Sequence, residues 1–133
     1  MADMNSLLEQ ARRIAKQAYC PYSHFRVGAA LLCSDGTIIT GTNVENRSYG
    51  LTNCAERTAI FTAVSSGKKD FEAIAVFTPD SAAAVAPCGA CRQVLSEFVG
   101  SDFPVIFAGR KQRIDTTVGQ LYPYDSLQDL RKA

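Results

Sequence analysis

The sequence predicts an α/β fold: a three-layer α/β/α sandwich with a five-stranded mixed sheet. Three observations lead there. The first segment carries apolar residues at helical spacing, four later runs of strand length are largely apolar with a fifth set off by a tight turn, and helical segments alternate with the later runs. Strand–helix–strand units imply a sheet with parallel members and helices covering both faces. At 133 residues the chain reads as one domain over positions 1–133, long enough to bury a real core.

In chain order, Leu7, Leu8, Ala11, Ile14, Ala15 and Ala18 define an amphipathic helix over Met4 to Tyr19. Asn5 or Ser6 is the expected cap, and Pro21 stops the run. Phe25 to Cys33 and Thr37 to Thr40 flank Ser34-Asp35-Gly36, a hairpin with an Asp-Gly turn. Asn43 to Asn53 is polar and loop-like. Cys54 to Ser66 reads as a helix with an apolar face at Ala55, Ala59, Ile60, Ala63 and Val64, ended by Gly67. Phe71 to Phe77 and Pro104 to Ala108 are buried strands. Between them Ser81 to Ala86 is a loop, and Pro87 and Gly100 bracket a helix over Cys88 to Val99. Gln112 to Thr116 is an edge strand after a tight turn at Gly109-Arg110-Lys111. The remainder is a tail of short helical turns broken at Pro123.

Composition excludes several functions. A net charge of +1, from fourteen basic and thirteen acidic residues, argues against a long polyanion such as a nucleic-acid backbone as the main partner. No apolar run has the length of a membrane span. The first residues lack the basic-then-apolar pattern of a secretory signal, so a cytoplasmic, reducing location is expected. Five cysteines, an odd number, argue against a complete disulfide framework.

Three of those cysteines carry the chemistry. Cys54 and Cys88 both fall at expected helix starts, and Cys91 lies one turn after Cys88. Helix N-termini favour thiolate over thiol, and a spacing of three turns Cys88 and Cys91 to one side. Three thiolates on one zinc leave a fourth position for water, the catalytic arrangement. Glu56, two residues past Cys54, is placed to move protons without binding the metal. Other readings fit the same spacing: a Cys88/Cys91 thiol–disulfide pair, a structural zinc completed by Cys20 or Cys33 in a binding protein, or thiols that are only small core residues.

The segments Cys54-Ala55-Glu56-Arg57 and Pro87-Cys88-Gly89-Ala90-Cys91-Arg92-Gln93-Val94-Leu95 resemble those of the homotetrameric zinc-dependent cytidine deaminases. The likeness extends to Pro21-Tyr22-Ser23-His24-Phe25-Arg26-Val27-Gly28-Ala29-Ala30-Leu31, to Gly41-Thr42-Asn43-Val44-Glu45-Asn46 and to Ser48-Tyr49-Gly50. It implies one zinc ion per subunit on Cys54, Cys88 and Cys91, and hydrolytic deamination of cytidine and deoxycytidine to uridine and deoxyuridine with release of ammonia, the chemistry of pyrimidine salvage. Glu56 is the implied proton carrier. Arg57 is the implied hydrogen-bond donor that withdraws charge from the thiolates. Asn43 and Glu45 would hold the sugar, with Val44 between them. Phe25 would lie against the pyrimidine and the Ala55 backbone would touch its edge. Tyr49 would reach a neighbouring subunit's active site in a homotetramer. His24, the single histidine, has no metal role in that pattern. The chain departs from the family's pattern at Arg47 and Cys20. It departs again after Pro123, where no Phe follows and Tyr124 or Leu127 takes the place of the residue that covers the base. Another cytosine nucleoside, such as a nucleoside antibiotic, is the alternative substrate.

Overall fold

The computed structural model describes residues 3–126. Helix α1 (Met4–Ile14) leads into the hairpin β1 (Gly28–Cys33) and β2 (Ile38–Thr42). Helix α2 (Ala55–Ser65), strand β3 (Phe71–Phe77), helix α3 (Gly89–Phe98) and strand β4 (Pro104–Ala108) follow, then β5 (Arg113–Thr117) and the short α4 (Val118–Leu121). The sheet order is β2-β1-β3-β4-β5. Only β3 and β4 run parallel, joined through α3; the other neighbouring pairs are antiparallel, so the sheet is mixed as expected.

Side-chain alternation along the strands builds the two faces. Ala29, Leu31 and Cys33 of β1, Ile74 and Val76 of β3, and Val105 and Phe107 of β4 face α2 and α3. The intervening Ala30, Ala73, Ala75 and Ile106 meet Leu7 and Ala11 of α1. The small residues on this second face let one helix cover three strands. The three layers are therefore α1, the sheet, and α2 with α3.

Several boundaries differ from the sequence expectation, each for a local reason. The cap of α1 is Asp3, whose carboxylate accepts from the Asn5 amide at 3.1 Å, and not Asn5 or Ser6. The α-helix ends at Ile14, tightens to a 3₁₀ turn over Ala15–Gln17, and does not reach Tyr19. Tyr19 is drawn away because its backbone bridges to Val44, donating to the Asn43 carbonyl at 3.1 Å and accepting from the Glu45 amide at 2.9 Å. Strand β1 starts at Gly28, since side chains take the Phe25, Arg26 and Val27 amides and the Phe25 carbonyl, and only the Val27 carbonyl keeps a backbone bond, from the Asn43 amide at 3.3 Å just past β2. Strand β5 begins at Arg113 because the Gln112 carbonyl closes the preceding turn with the Gly109 amide, at 2.9 Å.

Candidate active site

Helices α2 and α3 lie on the same face, and each is capped by a cysteine: Cys54 before Ala55, Cys88 before Gly89. Neither sulfur caps a backbone amide of its own helix, so both are left to face each other. Cys54 Sγ lies 3.6 Å from Cys88 Sγ, and Cys88 Sγ 3.4 Å from Cys91 Sγ. All three sulfurs fall within 4.8 Å of one another. A zinc with Zn–S bonds of about 2.3 Å in tetrahedral geometry sets its sulfurs about 3.8 Å apart, so the cluster fits that ion. The spacing is far too long for a disulfide, and all five cysteines are free. Cys20 and Cys33 stand outside the metal-competent group, which rules out a four-thiolate structural site built from them.

The sequence-predicted neighbours are at hand. Arg57, one turn into α2, donates from Nη2 to Cys54 Sγ at 3.2 Å. Its Nε is the one buried side-chain nitrogen or oxygen without a partner among the described residues. A guanidinium with spare donor capacity suits sulfurs whose charge rises when a metal displaces their protons. The Cys54 thiol is pushed down to about 5, first by the hydrogen bond it accepts from Cys91 and then by Arg57 and Cys88. The Cys91 thiol is pushed up, because its proton is shared with the Cys54 thiolate and because it is buried. Glu56 is only 4% exposed. Burial, with some help from the negative Cys54, raises its carboxyl to about 7. It borders Cys91 without belonging to the metal-competent trio. A carboxyl poised near neutrality can both accept and release a proton.

Next to this centre the chain doubles back through residues 19–27 and 43–53. Asn43 is buried, and its amide is engaged on both sides: Nδ2 donates to the Phe25 carbonyl at 2.8 Å and Oδ1 accepts from the Val27 amide at 2.9 Å. Glu45 accepts from the Tyr22 and Ser23 amides at 3.0 and 3.1 Å and from the Ser23 hydroxyl. Phe25 is half-buried. Val44 exposes its side chain and exchanges backbone bonds with Asn53, both at 2.9 Å. Ala55 is fully buried at the first residue of α2. Tyr49 is 76% exposed and meets the Tyr22 ring edge-on. Tyr124 is 89% exposed and covers nothing among the described residues of its own chain; Leu127 lies outside those residues.

Sequence reasoning missed three supports. Asp80, following β3, takes the Arg26 amide and guanidinium at 2.7–3.0 Å and is held down to about 2 by that arginine. The partners lie far apart in sequence, so no local pattern marks them. Ser23 joins Phe25 to Glu45. Arg92 spans from the Pro87 carbonyl to the Leu121 carbonyl, 2.8 Å each, tying the residue before Cys88 to α4. A charged residue directly after a ligand in Cys91-Arg92 was the one available signal for this last contact.

The thiol assignment has a direct test. Cys54→Ala removes one of three donors, and the purified variant should carry well under one zinc per subunit by elemental analysis. Unchanged zinc content would refute the ligand set.

Comparison with known proteins agrees with this geometry. The family model described as the cytidine and deoxycytidylate deaminase zinc-binding region matches residues 1–107. The chain is 51% identical over 122 residues to a cytidine deaminase of Sporosarcina psychrophila, covering 91% of this chain and 89% of the relative. It is 50% identical over 122 residues to a cytidine deaminase of Halalkalibacterium halodurans, covering 91% and 92%. The crystal structure of cytidine deaminase from Burkholderia pseudomallei superposes with a TM-score of 0.88 at 44% identity, over 92% of this chain and 98% of that one. Among the described residues no helix is long and apolar enough to cross a membrane.

Proposed function

The chain belongs to the family of cytidine and deoxycytidylate deaminases, and from that membership we propose that it is a zinc-dependent cytidine deaminase. It converts cytidine and deoxycytidine to uridine and deoxyuridine with release of ammonia. The observation that carries this reading is the trio of thiols beside the buried carboxyl of Glu56.

Cys54, Cys88 and Cys91 would hold one zinc ion per subunit. Bound there, zinc lowers the pKa of water toward neutrality and supplies a nucleophile for C4 of the cytosine ring. Glu56 takes one proton from the attacking water and passes it to ring N3, then takes the remaining proton of the new C4 hydroxyl and delivers it to the amino group, so that the C4–N bond breaks as ammonia leaves and the C4 carbonyl of uridine forms. Its burial keeps bulk water from competing for those protons. Arg57 lowers the charge density on Cys54 through its hydrogen bond. Ala55 presents its backbone to the edge of the base, and Phe25 its ring to the pyrimidine face. Asn43 and Glu45 retain free hydrogen-bonding capacity for the sugar hydroxyls, while Val44 fixes the backbone between them through its bonds to Asn53.

The active unit we propose is a homotetramer of one-domain subunits spanning 1–133. Tyr19, Tyr22, Val44, Tyr49 and Leu51 are all exposed. Val44 bridges to Tyr19, the Tyr22 and Tyr49 rings meet edge-on, and Tyr19 and Tyr22 line one cavity, which puts these four on one stretch of surface. An apolar patch of this kind beside a site supports an interface, with Tyr49 completing a neighbour's pocket. A cytoplasmic location and a place in pyrimidine salvage accompany this reading, supported by five free thiols.

Ultraviolet absorbance during incubation with cytidine tests the function. The cytosine band should fall as ammonia appears, stop after the metal is stripped with a chelator, and return on adding zinc. A folded, zinc-loaded protein that leaves cytidine and deoxycytidine unchanged would overturn it. A metal-free protein with a reducible Cys88–Cys91 bond would point to thiol–disulfide exchange instead.

A further inference from the structure

Phe25 lies outside the sheet, and side chains hold its backbone in place of a strand. Its amide donates to Ser23 Oγ at 3.0 Å and its carbonyl accepts from Asn43 Nδ2 at 2.8 Å. The Ser23 hydroxyl in turn donates to Glu45 Oε2. The direction of this chain is fixed: a hydroxyl has one proton, and here the carboxylate takes it while the Phe25 amide occupies a lone pair. The Tyr22 and Ser23 amides, at 3.0 and 3.1 Å, fill both lone pairs of Glu45 Oε1. Glu45 Oε2 is left with room for a single further donor.

We propose that Ser23 is a positioning residue that couples sugar recognition to placement of the base. Its hydroxyl sets the Glu45 carboxylate, and through the same oxygen it carries the Phe25 backbone. The one open acceptor position on Glu45 and the ring of Phe25 are thereby held at a set separation. A substrate hydroxyl donating to Oε2 joins a hydrogen-bond chain that ends at the Phe25 amide. This inference rests on the reading of Glu45 as the sugar contact and Phe25 as the base contact. It adds a residue that touches neither part of the substrate.

The test is a double-mutant cycle on the zinc-loaded enzyme with cytidine, using Ser23→Ala, Glu45→Ala and the double variant. Zinc content and the thermal midpoint serve as controls. Ser23→Ala should raise KM by at least about tenfold, with a smaller change in kcat, the scale of a lost hydrogen bond to a charged group. Ser23→Thr, which keeps the hydroxyl, should recover most of that loss. In the Glu45→Ala background the Ser23→Ala change should add about twofold or less, because the two act as one unit. Should Ser23→Ala lose its fold, the Ser23→Thr and Ser23→Val pair decides, since they share a shape and differ in the hydroxyl. Multiplicative effects in the cycle overturn the proposal. So does a loss confined to kcat, or a Ser23→Val enzyme as good as Ser23→Thr. A wild-type enzyme inactive on cytidine is a different result: it removes the function itself, and the proposal with it.

Discussion

Glu56→Gln should give a protein that still binds one zinc per subunit and turns cytidine over about 10²–10⁴-fold more slowly, the usual contribution of a positioned acid–base group. Glutamine keeps the shape of the side chain but can neither take the water proton nor hand it on. The same substitution should make the chelator-stripped protein more stable in mild alkali. Glu56 is buried beside a thiolate, and its carboxyl is raised from 4.5 to about 7. A raised carboxyl contributes fully to stability below pH 4.5, where folded and unfolded states are both protonated. That contribution is lost as pH climbs through about 7 and the buried group must ionise. The rise from 4.5 to about 7 corresponds to about 3 kcal/mol. Glutamine carries no such loss. Urea unfolding of the stripped proteins should therefore separate the variant from the wild type at pH 8 and bring them together near pH 4. An active Glu56→Gln enzyme would remove Glu56 from the chemistry. Equal stabilities at pH 8 would mean that the carboxyl is hydrated. Function here is held at a cost in stability, as expected where a titratable group is buried for use.

The two halves of the site were unequally visible in the sequence. The metal trio was legible because two ligands sit at helix boundaries that the sequence itself announces, Pro87 before Cys88 and a polar loop before Cys54, and the third, Cys91, follows Cys88 at a spacing of one helical turn. Strands β3 and β4 matched their expected limits, since short apolar runs bounded by turn residues leave little choice. The sugar side was named through family likeness, but its wiring was not visible. Asn43 and Glu45 looked like side chains free for a ligand. In the structure they first hold residues 22–27 of their own chain, about twenty positions earlier. Contacts across that separation have no periodicity. The same pairing shortened the first helix, because a backbone bridge at Tyr19 outcompeted another helical turn. Local propensity cannot foresee a bridge to a partner that arrives 25 residues later. The burial of Glu56 was equally hidden, since a first-turn acid on a helix is ordinarily a solvated partner of the dipole.

Gly41→Ala should open the metal site without touching a ligand. Gly41 sits in β2, opposite Ala29 of β1, and α2 crosses directly over it. A Cβ there would lie 2.5 Å from the Ala59 nitrogen, 2.8 Å from the Ala55 oxygen and 3.0 Å from Thr58 Cβ. Two of these are helix backbone atoms, which cannot swing aside as a side-chain tip can. The helix must therefore move off the strand as a body, and Cys54, Ala55 and Glu56 ride on its first turn. Cys88 and Cys91 belong to α3 and have no reason to follow. The sulfur cluster then opens on one side, at a point where contacts of 3.4–3.6 Å leave little slack. Overpacking of this kind costs about 1–3 kcal/mol. Displacing one ligand of three should also weaken zinc by at least the roughly 10–100-fold seen when only a ligand's support is lost. The measurements are a thermal unfolding midpoint and competition for zinc against a chelator. Gly100→Ala is the matched control, since a Cβ at Gly100 meets nothing within 4 Å and should leave both readings unchanged. A Gly41→Ala protein with the wild-type midpoint and zinc affinity would show that α2 is not seated on β2 by this close approach. The expected loss of both would show that one missing methyl group in the second strand sets the distance at which the two helix N-termini meet.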